Sequence, residues 1–146
     1  MIATAPHPKN NTPSRILVVD PRQVDYDWLV RRVVASRGQV RFLATGRAVL
    51  RQGHDPATDL YLVNVRLPDF SGCDLVEMLR PFPPGAAVFL VADGYVVEDE
   101  IRALKLGVSG YLCKPLEPSL LGECRIGKKR KEVIGHETFF HRKADP

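Results

Sequence analysis

The stretch DLYLVNVRLP, Asp59 to Pro68, decides how the rest of the chain is read. Its run from Leu60 to Val65 is apolar everywhere except Asn64, which is too short for a helix and lacks the alternation of a half-exposed strand. A strand of this kind is covered on both faces, as in parallel sheets flanked by helices. Asn64 then stands near the strand's carboxyl end, where an open α/β sheet gathers its ligands and its chemistry. An uncharged amide occupies that place, and the reading of the site turns on it.

Outward from this strand the same unit repeats in both directions. RILVVD, Arg15 to Asp20, is a β-branched strand. DYDWLVRRVVASRG after it predicts a helix with Trp28, Leu29, Val33 and Val34 on one stripe and Gly38 as its stop. QVRFLAT and GRAVLRQG read as a second strand and a short second helix. Beyond Pro68, SGCDLVEMLR begins with a serine cap and sets Leu75, Met78 and Leu79 on one helical face. AAVFLVA is a fourth strand, VVEDEIRALKLG a helix ending at Gly107, and SGYLCKP with EPSLLGECRIG a fifth pair. Five βα units in succession predict an α/β fold, a doubly wound five-stranded parallel sheet with helices on both faces and three layers in all.

The 146 residues, 45% hydrophobic, suit one domain with a real core. Residues 1–14, rich in Pro, Asn and Thr, are expected to form a disordered arm and lack the pattern of a signal peptide. Residues 15–125 form the domain and 126–146 a basic tail. No stretch approaches the roughly 18 consecutive apolar residues of a membrane span. Cys73, Cys113 and Cys124 form no CxxC pair, which with the missing signal argues for reduced thiols and a cytoplasmic protein. Through residue 124 the chain holds 14 Lys/Arg against 14 Asp/Glu, and the remaining residues hold seven against three. The net charge of +4 therefore lies in the tail, where any attraction to polyanions would be local.

Beyond the strand ends stand Asp20, Asn64, Val91 to Asp93, and Lys114. Here the chain resembles the receiver domain of two-component response regulators, through ILVVD, LVNVRLPDFSG and GYLCKP. The likeness covers residues 15 to 125. Its most specific element is a combined spacing, with Pro68 four residues and Gly72 eight residues after Asn64, and the Lys114–Pro115 pair closing the last strand. The resemblance implies a flavodoxin-like fold and a site in which a carboxylate accepts a phosphoryl group. Further acidic groups hold Mg²⁺ there, a hydroxyl bonds the phosphoryl oxygen and a lysine offsets its charge.

Position by position, three of the five residues that would carry this chemistry depart from the family's pattern. The phosphoacceptor falls on Asn64, a poor nucleophile without charge. The acidic pair after the first strand falls on Asp20 and Pro21, so a metal ligand is missing, and the hydroxyl of the fourth strand falls on Val91. Asp20 and Lys114 remain. The chain therefore looks like a pseudo-receiver, with no cofactor, its Mg²⁺ site lost and no catalytic residue. Lys114 is expected to form a salt bridge with Asp20. Arg66, and likewise Arg22, either sets its guanidinium over the acidic remnant or is merely solvated. Tyr111, at the family's switch aromatic position, is expected half-buried with its hydroxyl at solvent. Cys113 reads as inert packing.

His136 and His141 have a spacing allowed for zinc, but Cys113 and Cys124 are too far apart to complete a knuckle. No P-loop, GxGxxG, GxSxG or HExxH motif is present, so an enzyme has little to stand on. The function expected is a signalling module that binds a protein partner. In the family the fourth helix, fifth strand and fifth helix commonly mediate pairing, and here Arg102, Lys105 and Glu117 would belong to that face, with a homodimer as one outcome. The alternative is a nucleic-acid-binding module, using Lys128 to Lys131 on phosphates and Phe139 and Phe140 as stacking groups.

Overall fold

The computed structural model describes residues 13–120. Outside the described residues lie the expected arm up to residue 12, most of the expected fifth helix, Cys124, and the basic tail with its histidines.

The strands are β1 (Arg15–Val19), β2 (Gln39–Leu43), β3 (Leu60–Asn64), β4 (Ala87–Ala92) and β5 (Gly110–Cys113). Between them run α1 (Asp27–Ala35, after a 3-10 turn at Gln23–Tyr26), α2 (Gly46–Gln52), α3 (Gly72–Leu79) and α4 (Val97–Leu106). All strand pairs are parallel, in the order β2-β1-β3-β4-β5. The direction of winding reverses between β1 and β3. Right-handed crossovers then put α1 on one face and α2, α3 and α4 on the other, where α3 packs against both neighbours. Every residue of β3 and β4 is buried, whereas edge strand β2 is nowhere fully buried. The near-continuous apolar runs of the sequence thus mark the covered centre of the sheet.

Two helical stripes are narrower than their sequences suggest. In α1, Leu29 and Val33 are fully buried and Trp28 packs against the core, but Val34 is 58% exposed. One residue beyond Val33, it is rotated by about 100° away from the sheet. In α3, Val76 joins Leu75 and Leu79 in the core, and Met78 is 53% exposed. The ends are set by the residues the sequence supplies. Thr45 Oγ1 accepts from the Ala48 amide, Ser71 Oγ accepts from the Cys73 amide, and Gly107 closes α4 in the left-handed region at φ 72°.

One glycine fixes the entry to the site. A Cβ at Gly72 would stand 1.9 Å from the Asn64 carbonyl oxygen, so α3 can start over the end of β3 only because position 72 has no side chain. The Gly72 amide donates to the Val65 carbonyl at 2.9 Å, which anchors that approach.

Candidate functional site

Asp20, Asn64, Asp93 and Lys114 all stand at or just past the carboxyl ends of strands, and parallel register brings them together. Asn64 pairs with Val91, while Ala92 pairs with Cys113, the residue before Lys114. β1 and β3 flank the reversal of strand order, where open α/β sheets carry their crevice.

The Asn64 amide is used at both ends. Its Nδ2 donates to Asp20 Oδ2 at 3.0 Å and to Asp93 Oδ1 at 3.3 Å, and its Oδ1 accepts the Arg66 amide at 2.8 Å. Asp20 is buried and receives three further donors: the Arg22 amide at 2.9 Å, the Tyr26 hydroxyl at 2.7 Å and Lys114 Nζ at 2.9 Å. Lys114 lies between three carboxylates, reaching Asp25 Oδ2 at 2.7 Å and Asp93 Oδ1 at 2.9 Å as well as Asp20. Its ammonium is also 5.5 Å from the centre of the Tyr26 ring, a favourable place for a cation.

The electrostatics follow from these contacts. Burial pushes the Asp20 carboxyl up, but bonds from Asn64, the Arg22 amide, Tyr26 and Lys114 outweigh it and hold the group below its ordinary range. Asp25 is held low by Lys114 first and by Arg22 second. Burial acts to lower Lys114, and the bonds to Asp25, Asp20 and Asp93 more than reverse it, so the ammonium is retained. Tyr26 is pushed far up by burial and by the Asp20 carboxylate, which keeps its hydroxyl a donor.

The other positions singled out in the sequence divide. Pro21 is exposed and offers the cluster neither charge nor donor, and Val91 is fully buried beside Asn64 without a hydroxyl. Arg66 gives its backbone amide to Asn64, but its guanidinium is 60% exposed and pairs with Asp99 of α4 at 2.8 Å. It therefore does not cover the acidic remnant. Arg22, by contrast, does reach the acidic remnant: its Nε donates at 3.1 Å to Asp25 Oδ2, the oxygen that also receives Lys114. Tyr111 is fully buried rather than half-exposed, and its hydroxyl accepts the Val96 amide at 3.1 Å. On α4, Arg102 turns to Asp74 and Glu77 of α3, so its guanidinium is engaged within the fold.

Three participants carry roles the sequence reading did not assign. Asp93 stands just beyond β4, among the positions named there, without a partner attached to it. Asp25 stands in the 3-10 turn before α1, which turns its carboxylate to Lys114. Tyr26, three residues before Leu29, extends the inward stripe of α1, and its hydroxyl reaches Asp20.

Residues 16–124 match the response regulator receiver domain family, and the chain belongs to it. The transcriptional regulatory protein CusR of Escherichia coli K12 is 37% identical over 127 residues, covering 86% of this chain and 56% of CusR. A probable transcriptional regulatory protein, TcrX of Mycobacterium tuberculosis, is 29% identical over 103 residues, covering 70% of this chain and 44% of TcrX. The chain thus spans about half the length of these curated relatives. Among solved structures, a CheY-like receiver domain protein from Methanospirillum hungatei JF-1 superposes with TM-score 0.68 at 26% identity, over 84% of this chain and 98% of that one. The BeF3-activated receiver domain of DrrB gives 0.65 at 25% identity, over 80% and 97%. Among the described residues no helix is long and apolar enough to cross a membrane.

Proposed function

We propose that this receiver domain is not phosphorylated and works by binding a protein partner. The observation that carries the reading is the saturation of the pocket by its own side chains. The Asn64 amide bridges Asp20 and Asp93, and the Lys114 ammonium sits between Asp20, Asp25 and Asp93. An amide in the place of the phosphoacceptor cannot form an acyl phosphate at neutral pH.

The residues do not fit a divalent cation either. Mg²⁺ demands near-octahedral oxygen ligands at about 2.0–2.1 Å. Here Pro21 supplies none, Asn64 Oδ1 is engaged with the Arg66 amide, and an ammonium lies where the three carboxylates converge. The tethered amine of Lys114 takes the charge-balancing role that a metal ion would otherwise fill.

What remains for the domain is its surface. On α4, Val97, Ile101 and Leu104 are each 45–48% exposed, at the i, i+4, i+7 spacing of a single stripe, with Tyr95 at 46% just before them. This is the outer side of the face expected to pair, and it is offered to a partner protein or a second copy of the chain. With Arg102 engaged by α3, the apolar stripe and Lys105 provide the contact.

Incubation with acetyl phosphate and Mg²⁺ tests the first half, with intact mass expected to stay unchanged. A hydroxylamine-sensitive adduct of about 80 Da, the mass of one phosphoryl group, would overturn it. Ile101→Glu tests the second half, and light scattering or partner capture that is indifferent to it would remove the α4 stripe from the interface.

A further inference from the structure

The first turn of α4 is capped in an exchanged manner. Its N-cap residue is Val96, whose side chain cannot cap, and no side-chain cap bond is made there. In a reciprocal cap the residue three positions on, here Asp99, would reach back to the N-cap amide. Asp99 instead faces away to Arg66 at 2.8 Å, and the Val96 amide is taken by the Tyr111 hydroxyl at 3.1 Å. The same hydroxyl lies 3.4 Å from the Val96 carbonyl, to which it donates. The start of α4 is thus fastened to β5 through a fully buried tyrosine and to the loop after β3 through Arg66.

The Arg66 fastening leads back to the pocket. The Arg66 amide is held by Asn64 Oδ1 at 2.8 Å, and Arg66 forms an isolated bridge with Ser71 that narrows the loop. Neither link requires a phosphoryl group. Val91, fully buried where the family has its hydroxyl, offers Tyr111 no competing hydrogen-bond partner.

We infer that Tyr111, aided by Arg66, is a positioning residue that holds the first turn of α4 in one arrangement, so that the α4 face is presented permanently rather than on phosphorylation. The inference rests on the proposed function for its consequence, since the face must dock something. The lock itself is measurable in the absence of any partner. The Tyr111 bond is the stronger fastening, being buried, whereas the Arg66–Asp99 pair is exposed and exposed pairs contribute little.

Amide hydrogen exchange on the full chain, resolved by NMR, separates positioning from general support. The N-cap amide of a helix has no intrahelical acceptor, so protection of Val96 depends on the Tyr111 oxygen. Tyr111→Phe should speed exchange at Val96 by about two- to tenfold and at 97–100 by less, leaving β3 and β4 amides unchanged. Arg66→Gln should change the same amides by less than about fivefold. Beryllofluoride with Mg²⁺ should leave the wild-type pattern as it was.

A Val96 amide already unprotected in the wild type would overturn the inference. So would a Tyr111→Phe effect spread evenly over the whole sheet, or a response to beryllofluoride at 96–100. If this local pattern holds but Ile101→Glu alters no association, the docking surface is wrong and the lock stands. If association depends on Ile101 but Tyr111→Phe leaves Val96 unchanged, the lock falls and the docking surface stands.

Discussion

Replacing Asn64 by Asp tests how the pocket is balanced. The change swaps an NH₂ that donates to two carboxylates, Asp20 at 3.0 Å and Asp93 at 3.3 Å, for an oxygen that repels both. Hydrogen bonds to charged acceptors contribute about 1.5–3 kcal/mol each, and the bond to the buried Asp20 should stand at the upper end. The longer bond to the exposed Asp93 should stand at the lower end or below it. At about 3 Å and an effective dielectric constant near 20, the added repulsion from Asp20 alone is about 5.5 kcal/mol. The folded protein can escape part of that by keeping the introduced carboxyl protonated, since a carboxylic acid still donates one bond. Holding the proton at pH 7 against an unfolded pKa of about 3.9 costs about 4 kcal/mol, which caps the penalty. Asn64→Asp should therefore destabilise the fold by about 2–4 kcal/mol at pH 7.

The sign with pH follows from linkage. The folded-state pKa of the introduced carboxyl is raised, so relative to wild type the penalty is fully present above that folded pKa. It shrinks as pH falls and is smallest below about pH 4, where the unfolded group is protonated too. Urea unfolding followed by fluorescence of Trp28, the only tryptophan, at intervals from pH 4 to 8 measures the difference. A variant as stable as wild type at pH 7, or a loss that does not vary with pH, would refute the reasoning. It would mean that Lys114 can turn to the new carboxylate at no cost.

The remaining predictions concern the same cluster and its supports. Asn64→Asp alone should not be labelled by acetyl phosphate, whereas Pro21→Asp, Asn64→Asp and Val91→Thr together should recover Mg²⁺ binding and some labelling. Equal labelling of the single and triple variants by intact mass would show that the site is silent for another reason. Lys114→Met leaves three carboxylates without their shared cation and should cost about 3–5 kcal/mol in urea unfolding at pH 7. Asp20 and Asp25 have lowered folded pKa values, so their stabilisation is present above the unfolded pKa and is lost as pH falls through the folded one. The deficit of Lys114→Met should accordingly be greatest near neutrality and narrow in acid. Millimolar Mg²⁺ should alter neither the melting temperature nor the emission of Trp28, which lines the cleft beside Asp25, Asp93 and Lys114. A saturable quench would count against the pocket as described. Gly72→Ala forces a methyl onto the Asn64 carbonyl oxygen and should cost about 3 kcal/mol or more in thermal or urea unfolding.

Much of the site was legible because its chemistry is carried by residues at strand ends, and strands are the most legible elements here. The apolar runs placed Asn64, Pro21 and Val91, and the resemblance to receiver domains is what let each be read as a departure from the family's site. The Lys114–Asp20 contact followed from the placement of the two groups at the ends of β5 and β1. The direction of long side chains was not legible. Arg66 has a backbone amide in the pocket and a guanidinium outside it, and only the position of α4 makes Asp99 the nearer partner.

What the sequence by itself determined is the order of strands and helices, the covered centre of the sheet, and the set of residues delivered to its carboxyl edge. These depend on local periodicity, β-branching and caps, which act within a few residues of chain. What the tertiary structure decided is which of those residues meet. Lys114 reaches Asp25 across 89 residues of chain, Asn64 reaches Asp93 across 29, and Tyr111 is buried so that its hydroxyl serves α4 instead of solvent. Val34 and Met78 lie outside the core because helix rotation against the sheet selects a stripe narrower than the apolar pattern allows. Such pairings are set by how strands register and how helices rotate on the sheet, and no short stretch of sequence contains that information.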